Sequence, residues 1–146
     1  MVIKTHIRAF LFMFASLLLM ACGGGGGGGN GQPPPGSEQE GQFIDSIVIG
    51  LYYETPTITG FTDAQGRFSY RDGETIQFFV GDILLGEALG QAIVTPIELV
   101  AGATDETNIQ VQNMVMFLQT IDDDGDESNG ITITNNASNA ATGTGQ

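Results

Sequence analysis

The stretch TGFTDAQGRFSYRDGETIQFFVGDILLGEA, residues 59–88, decides the fold of this chain. It alternates β-branched and aromatic segments with three turn signals at about ten-residue spacing, which is typical of an all-β domain. Asp63–Gly66 suits a type I turn. Asp72-Gly73 favours a tight hairpin loop, and Gly81-Asp82 places glycine first, as a type II′ turn requires. We therefore expect a series of hairpins that form a small antiparallel β-sandwich.

The preceding segment FIDSIVIGLYY, residues 43–53, predicts one further strand. Its apolar residues recur at every second position from Ile47 to Tyr53 and would share one face. Neighbouring side chains of a strand point to opposite faces, so one of Tyr52 and Tyr53 is expected to be exposed. Two interpretations of an exposed tyrosine stay open, which are stacking on a sugar ring and ordinary packing on the sheet.

Two helices are predicted after the hairpins. In Thr95–Glu98, threonine is a candidate N-cap, proline occupies the first helical position and glutamate completes a capping box. A longer amphipathic helix is expected from about Asn108 to Ile121, with Thr107 and Gln110 as a weaker capping pair. Its apolar stripe, which should pack on one face of the sheet, consists of Val111, Met114, Val115, Phe117, Leu118 and Ile121.

The amino terminus is organised around Cys22, the only cysteine. A basic start with Lys4, His6 and Arg8 precedes an apolar run of 11 residues, Phe10–Met20. That length fits a signal peptide and falls short of the roughly 20 residues that a membrane-spanning helix needs. The segment therefore predicts export.

The end of the apolar run resembles the lipobox of bacterial lipoprotein precursors. The residues concerned are Leu19, Met20, Ala21 and Cys22. The resemblance implies a cleaved signal peptide at 1–21 and a covalent lipid on Cys22, with palmitate-type acyl chains that anchor the protein to a membrane. Gly23 stands where aspartate would resemble an inner-membrane retention signal, so the outer membrane of the cell envelope is expected. The alternative is a cleavable secretory signal with an incidental cysteine.

Composition divides the remaining chain into three parts. Residues 22–41 hold the acylated cysteine and a Gly/Pro-rich stretch without apolar side chains, which predicts a tether. Residues 42–133 have the length of one small β-rich domain. Residues 134–146 are small, polar and uncharged, and we expect them to be a disordered tail.

The charge balance and residue composition exclude several classes of function. All 17 acidic residues, but only Arg67 and Arg71 among the basic ones, follow Cys22, so this part carries a net charge of −15 and no histidine. Such an acidic chain is repelled by phosphate backbones, which excludes nucleic acid as a partner. Without histidine or a second cysteine it lacks the imidazole of Ser-His-Asp and Cys-His sites and the usual zinc ligands. We therefore expect a protein that is not an enzyme.

The segment TGFTDAQGRFSY resembles the T-D-x-x-G-x-F pattern of carboxypeptidase-regulatory-like, transthyretin-like β-sandwich modules. The runs GLYY, TDAQGRFSY, GETIQFFVGDILLG, VTPIELV and FLQTIDDDGDESNGI are similar to the N-terminal domain of uncharacterised lipoproteins of Gram-negative bacteria. This resemblance covers most of residues 43–133 and implies a β-sandwich in the envelope, without implying a reaction. The helix and acidic loop after Thr95 have no counterpart in the simple sandwich.

The acidic loop DDDGDESNG, residues 122–130, is the candidate metal site. Its five acids follow a helix C-terminus, where the helix dipole disfavours carboxylates, and a hard cation would offset that conflict. The candidate Ca²⁺ ligands are Asp122, Asp124, Asp126, Ser128 and Asn129. The spacing resembles EF-hand and dockerin loops but departs at Glu127, where glycine is expected, and at Ile133, where an acid is expected. The alternative is a solvated acidic turn.

Three functional hypotheses follow. The first is a non-catalytic, lipid-anchored spacer, scaffold or assembly module at the cell surface, with an envelope protein or glycan as partner. The second is a Ca²⁺-assisted binding or adhesion module that uses the acidic loop. The third is a glycosidase with two carboxylates facing each other across a cleft at about 5 to 9.5 Å.

Overall fold

The described residues are 36–143 of a computed structural model, and they form nine short strands, three α-helices and one 3₁₀-helix, Glu127–Asn129, in the acidic loop. The strands are β1 (Glu38–Phe43), β2 (Val48–Ile49), β3 (Tyr52–Glu54), β4 (Thr59–Phe61), β5 (Arg67–Arg71), β6 (Thr75–Val80), β7 (Ile83–Leu89), β8 (Ile93–Val94) and β9 (Ile131–Thr132). The helices are α1 (Pro96–Leu99), α2 (Ile109–Thr120) and α3 (Asn135–Ala141). The predicted mainly β fold with a helix near the C-terminus is confirmed.

Two sheets of three and four strands, with a small accessory pair, make up the fold. The first sheet has the order β5-β1-β8, and the second has the order β4-β3-β6-β7. All pairs of the second sheet are antiparallel. Two short pairs, β1 with β8 and β2 with β9, are parallel. The arrangement is consistent with a small β-sandwich.

The core lies where aromatic side chains of the two sheets meet. Phe43 of β1 and Phe68 of β5 both contact Phe78 of β6, with ring centroids 5.0 Å and 5.3 Å apart in edge-on geometry. Met114 and Leu118 of α2 belong to the same buried cluster. The predicted packing of the α2 apolar stripe on the β-domain is therefore confirmed for these residues.

Two of the three predicted hairpin loops are corners between sheets. Gly66 N donates to Asp63 O (2.8 Å) and Glu74 N donates to Arg71 O (3.0 Å), so both turns form. However, β5 pairs with β1, not with β4 or β6. Turn residues determine that the chain reverses, whereas a strand's partner depends on where its apolar face is buried. Of the three predicted loops, Gly81-Asp82 alone closes a hairpin, between β6 and β7.

The predicted strand 43–53 is interrupted. Gly50 adopts φ +75°, and a Cβ there would clash with the carbonyl oxygen of Ile133. The bend shifts the buried positions out of simple alternation: Val48 and Leu51 are buried, whereas Ile47 is 39% exposed. A left-handed glycine of this kind breaks the period of two on which the prediction depended.

The ordered β-rich part extends beyond both ends of the predicted domain, residues 42–133. β1 begins at Glu38, inside the expected tether, because its backbone pairs with β5 from Glu38↔Arg71 to Gln42↔Arg67 and needs few apolar side chains. The expected disordered tail contains α3, which Thr134 caps and which buries Ala141. Residues 1–35 and 144–146 lie outside the described part.

The helix caps agree with the sequence in one case and differ in the other. At α1, Thr95 and Glu98 form the predicted capping box, with Pro96 in the first turn. At α2 the N-cap is Asn108, whose side chain accepts from Gln110 N at 2.8 Å, rather than Thr107. Thr107 N and Thr107 Oγ1 both donate to Asp105 in the loop before α2, so the threonine hydroxyl does not cap the helix.

Candidate functional site: the acidic loop

The acidic loop joins α2 to β9, and its base is held by that strand. Asp122 Oδ1 accepts from Thr132 N at 2.8 Å, and Asp123 N donates to Thr132 O at 3.1 Å. The other carboxylate oxygen of Asp122, Oδ2, is buried and has no hydrogen-bond partner. Asp122 therefore fixes the start of the loop and leaves one acceptor unsatisfied.

Asp124 and Asp126 form two successive turns in which their carboxylates accept from the loop itself. Asp124 Oδ1 accepts from Asp126 N (2.9 Å), and its Oδ2 accepts from Asn129 Nδ2 (2.8 Å). Asp126 Oδ1 accepts from Ser128 N (3.1 Å) and Ser128 Oγ (2.6 Å). The hydrogen bond from Asp126 N, followed by that from the Asn129 amide, lowers the pKa of Asp124.

These contacts place the five candidate ligands in one loop. Ser128 and Asn129 act as donors to the aspartates. Within residues 36–143, no three His, Cys, Asp or Glu side chains form a group that could hold a metal ion. As arranged, the loop is an acidic turn that is held by internal hydrogen bonds.

The predicted lipidation site cannot be placed in this geometry. Leu19, Met20, Ala21 and Cys22 all lie outside the described residues. No helix among residues 36–143 is long and apolar enough to cross a membrane.

Glu74 is a buried carboxylate that the sequence did not single out. Its Oε1 accepts from Thr57 Oγ1 at 2.7 Å and its Oε2 from Arg71 N at 3.1 Å. Burial raises the pKa of Glu74, but these hydrogen bonds outweigh it and the pKa lies below its ordinary value. The residue ties the β5–β6 corner to the β3–β4 loop. Thr57 is too far away along the chain for any local pattern to indicate the pair.

The outer face of the four-stranded sheet carries a second feature, which we name the apolar row. It consists of Phe61, Tyr52, Phe79 and Leu84, which are cross-strand neighbours in β4, β3, β6 and β7. Of the two tyrosines, Tyr52 lies on the outer face, as expected for one member of the pair, but it is half-buried and not exposed. Tyr53 is buried, and its hydroxyl accepts from Ser69 N at 3.1 Å.

Comparison with known proteins adds no assignment. No protein-family model, curated protein or solved structure matches this chain. The resemblance to lipoprotein and transthyretin-like modules therefore stays a prediction from the sequence.

Proposed function

We propose that this chain is a non-catalytic, lipid-anchored protein of the cell envelope, whose β-domain acts as a spacer, scaffold or assembly module on the outer membrane. The observation that carries the proposal is the single cysteine, Cys22, at the end of the apolar run Phe10–Met20. A thiol at this position has a specific use as an acylation site, and two or more acyl chains hold a protein stably on a bilayer.

The position of the first strand supports the same proposal. Between Cys22 and the start of β1 at Glu38 lies a Gly/Pro-rich stretch. A flexible chain of this length and composition spans roughly 20 Å on average. The domain would then stand just clear of the lipid headgroups.

Metabolic labelling tests the anchor. The full chain is expressed in a Gram-negative host with labelled palmitate, beside Cys22→Ser as the control. We expect label and membrane fractionation for the original chain and neither for the variant, with a mature N-terminus at Cys22 in the mass spectrum. An unlabelled chain that keeps Met1 and a free thiol would overturn the proposal.

A second candidate function is Ca²⁺-assisted binding through the acidic loop. It is supported by the buried Asp122 Oδ2, which has no hydrogen-bond partner and would gain one from a cation. The test variant is Asp124→Asn with Asp126→Asn, which removes both charges. Asparagine keeps an acceptor oxygen for the two hydrogen bonds to Asp126 Oδ1 and for one of the two hydrogen bonds to Asp124.

Thermal melting in detergent then distinguishes a Ca²⁺-binding loop from an acidic turn that binds no ion. We expect Ca²⁺ at about millimolar concentration to raise the melting temperature of the original chain but not of the double variant. Asp72→Asn with Glu106→Gln, which removes two charges elsewhere, is the matched control and should retain the rise. Identical melts with Ca²⁺ and with chelator would exclude this function.

A further inference from the structure

The apolar row is exposed to solvent at both ends. Phe61 is 59% exposed and Leu84 is 49% exposed, while Tyr52 and Phe79 between them are half-buried. The ring centroid of Tyr52 lies 5.3 Å from that of Phe61 and 5.9 Å from that of Phe79. The row is thus a continuous apolar strip that crosses all four strands.

A polar row runs beside it on the same face. Its members are Thr59, Glu54, Gln77 and Glu87, which are again cross-strand neighbours. Gln77 Nε2 donates to Glu87 Oε2 at 3.0 Å, which uses one amide hydrogen inside the row. A shallow depression of about 300 Å³ lies here, between Glu54, Gln77 and Glu87 and the Thr55-Pro56 turn.

The geometry points to this face as a docking surface for a basic polypeptide segment. Glu54 and Glu87 are both exposed, and ionised carboxylates only accept hydrogen bonds, so the partner must supply donors. Neither row contains lysine or arginine, and the chain after Cys22 carries a charge of −15. An arginine side chain satisfies both rows, because its guanidinium pairs with a carboxylate and stacks on an aromatic face.

Two other occupants fit less well. A second copy of this chain would bring its own Glu54 and Glu87, and a domain of equal negative charge, against this face. A neutral polysaccharide ribbon stacks best on coplanar rings, but the planes of Tyr52 and Phe61 are inclined by 58° and those of Tyr52 and Phe79 by 50°.

The spacing of the carboxylates specifies the partner further. Glu54 and Glu87 flank Gln77 two strands apart, which places their backbones roughly 9.5 Å apart. In a polyproline II helix, residues three apart share a face at about 9.3 Å. Two arginines at that spacing would reach both carboxylates, while prolines between them pack on the apolar row, as in other aromatic-lined peptide grooves.

This inference rests on the proposed assembly function, whose partner class it names, but the two are tested separately. The probe is a fluorescent peptide, PPRPPRPP, and its control carries glutamine in place of both arginines. Binding to the full chain in mild detergent is followed by anisotropy. A chain that binds the peptide but takes up no palmitate would overturn the anchor alone, and the reverse result would overturn the docking surface alone.

Matched variants localise the binding. We expect Glu54→Gln with Glu87→Gln, and separately Phe61→Ala, to weaken the arginine peptide about tenfold. The charge control Asp72→Asn with Glu106→Gln and the exposed apolar control Met116→Ala, both off this face, should bind as the original does. Melting curves establish that each variant is folded.

Three outcomes would overturn the docking surface. They are failure of the arginine peptide to bind, equal weakening by the test and control pairs, and binding of neutral oligosaccharides, but not of the peptide, in a manner that Phe61→Ala abolishes.

Discussion

At the scale of single residues, Thr62 joins two segments that the sequence treats as one strand. Its Oγ1 accepts from Leu51 N at 3.0 Å and donates to Val48 O at 2.7 Å, and the side chain is buried. Both backbone groups belong to the bent segment around Gly50. The hydroxyl therefore supplies the hydrogen bonds that a regular ladder would have supplied there.

Thr62→Val should lower the free energy of unfolding by about 2 kcal/mol, because valine has the same shape and leaves two buried backbone groups without a partner. Urea denaturation of the full chain in detergent measures the change. Thr59→Val, at an exposed position of β4, is the control and should change stability little. A Thr62→Val protein as stable as the original would show that water satisfies both groups.

Asp63 gives a prediction about pH. Asp63 Oδ2 accepts a hydrogen bond from Arg67 Nε at 2.8 Å, and this bond lowers the pKa of Asp63 from 3.8 to about 2. Because the folded-state pKa is depressed, the stabilisation is fully present above pH 3.8 and is lost as the pH falls through about 2.

Asp63→Asn should accordingly cost about 0.5 kcal/mol at neutral pH, a small value because the pair is exposed, and the difference from the original should shrink towards pH 2. Denaturation midpoints across this range provide the measurement, with Asp72→Asn in the next turn as control. A difference that grows on acidification would contradict the assignment.

At the scale of elements, α3 and the β6–β7 hairpin fit each other closely. Gly81 in the hairpin loop has φ +57°, and a Cβ there would clash with the carbonyl oxygen of Ser138 and approach the carbonyl carbon of Ala141 to 2.9 Å. Asp82 Oδ2 also accepts from Gly143 N at 2.5 Å. The helix is thus held by a close backbone approach at Gly81, by the Asp82 side chain and by burial of Ala141, none of which local sequence composition indicates.

Gly81→Ala should therefore destabilise the protein more than Gly73→Ala. Both glycines have positive φ, so each alanine costs about 1–2 kcal/mol in backbone strain, but a Cβ at Gly73 meets nothing within 4 Å. The excess cost at Gly81, read from urea denaturation, reports the docking of α3. In a chain that ends at Thr134 the two costs should become equal, and a persistent excess would mean that α3 is not its source.

At the scale of the whole molecule, charge dominates. The acids outnumber the two arginines after Cys22 so strongly that self-repulsion must oppose the compact state. The acidic loop adds to this, since the carboxylates of Asp124 and Asp126 are held by internal hydrogen bonds and not by cationic side chains.

Salt should consequently raise the melting temperature. Between about 0.01 M and about 1 M NaCl the Debye length falls from about 30 Å to about 3 Å, which screens the repulsion. Calorimetry of the full chain in detergent measures the shift, and CaCl₂ at matched ionic strength separates screening from ion binding. A melting temperature that falls with salt would show that attractive pairs such as Arg67–Asp63 outweigh the repulsion.

The sequence alone was enough for whatever depends on neighbouring residues. The β-rich composition, the three turns, the capping box of Thr95 and Glu98, and α2 with its buried Met114 and Leu118 all follow from local patterns of hydrogen bonding and burial. The internal hydrogen bonding of the acidic loop also arises within a few residues, although its pattern alone did not separate a metal site from a turn.

Only the tertiary structure decided which segments meet. It paired β5 with β1, bent the chain at Gly50 and joined Glu74 to Thr57 by a hydrogen bond. It also packed α3 against Gly81 and aligned Phe61, Tyr52, Phe79 and Leu84 across four strands. These contacts join residues that are distant along the chain, and each is selected by burial and backbone complementarity of the whole fold. No local period encodes them, because a strand's partner is chosen among all the surfaces that the folded chain brings within reach.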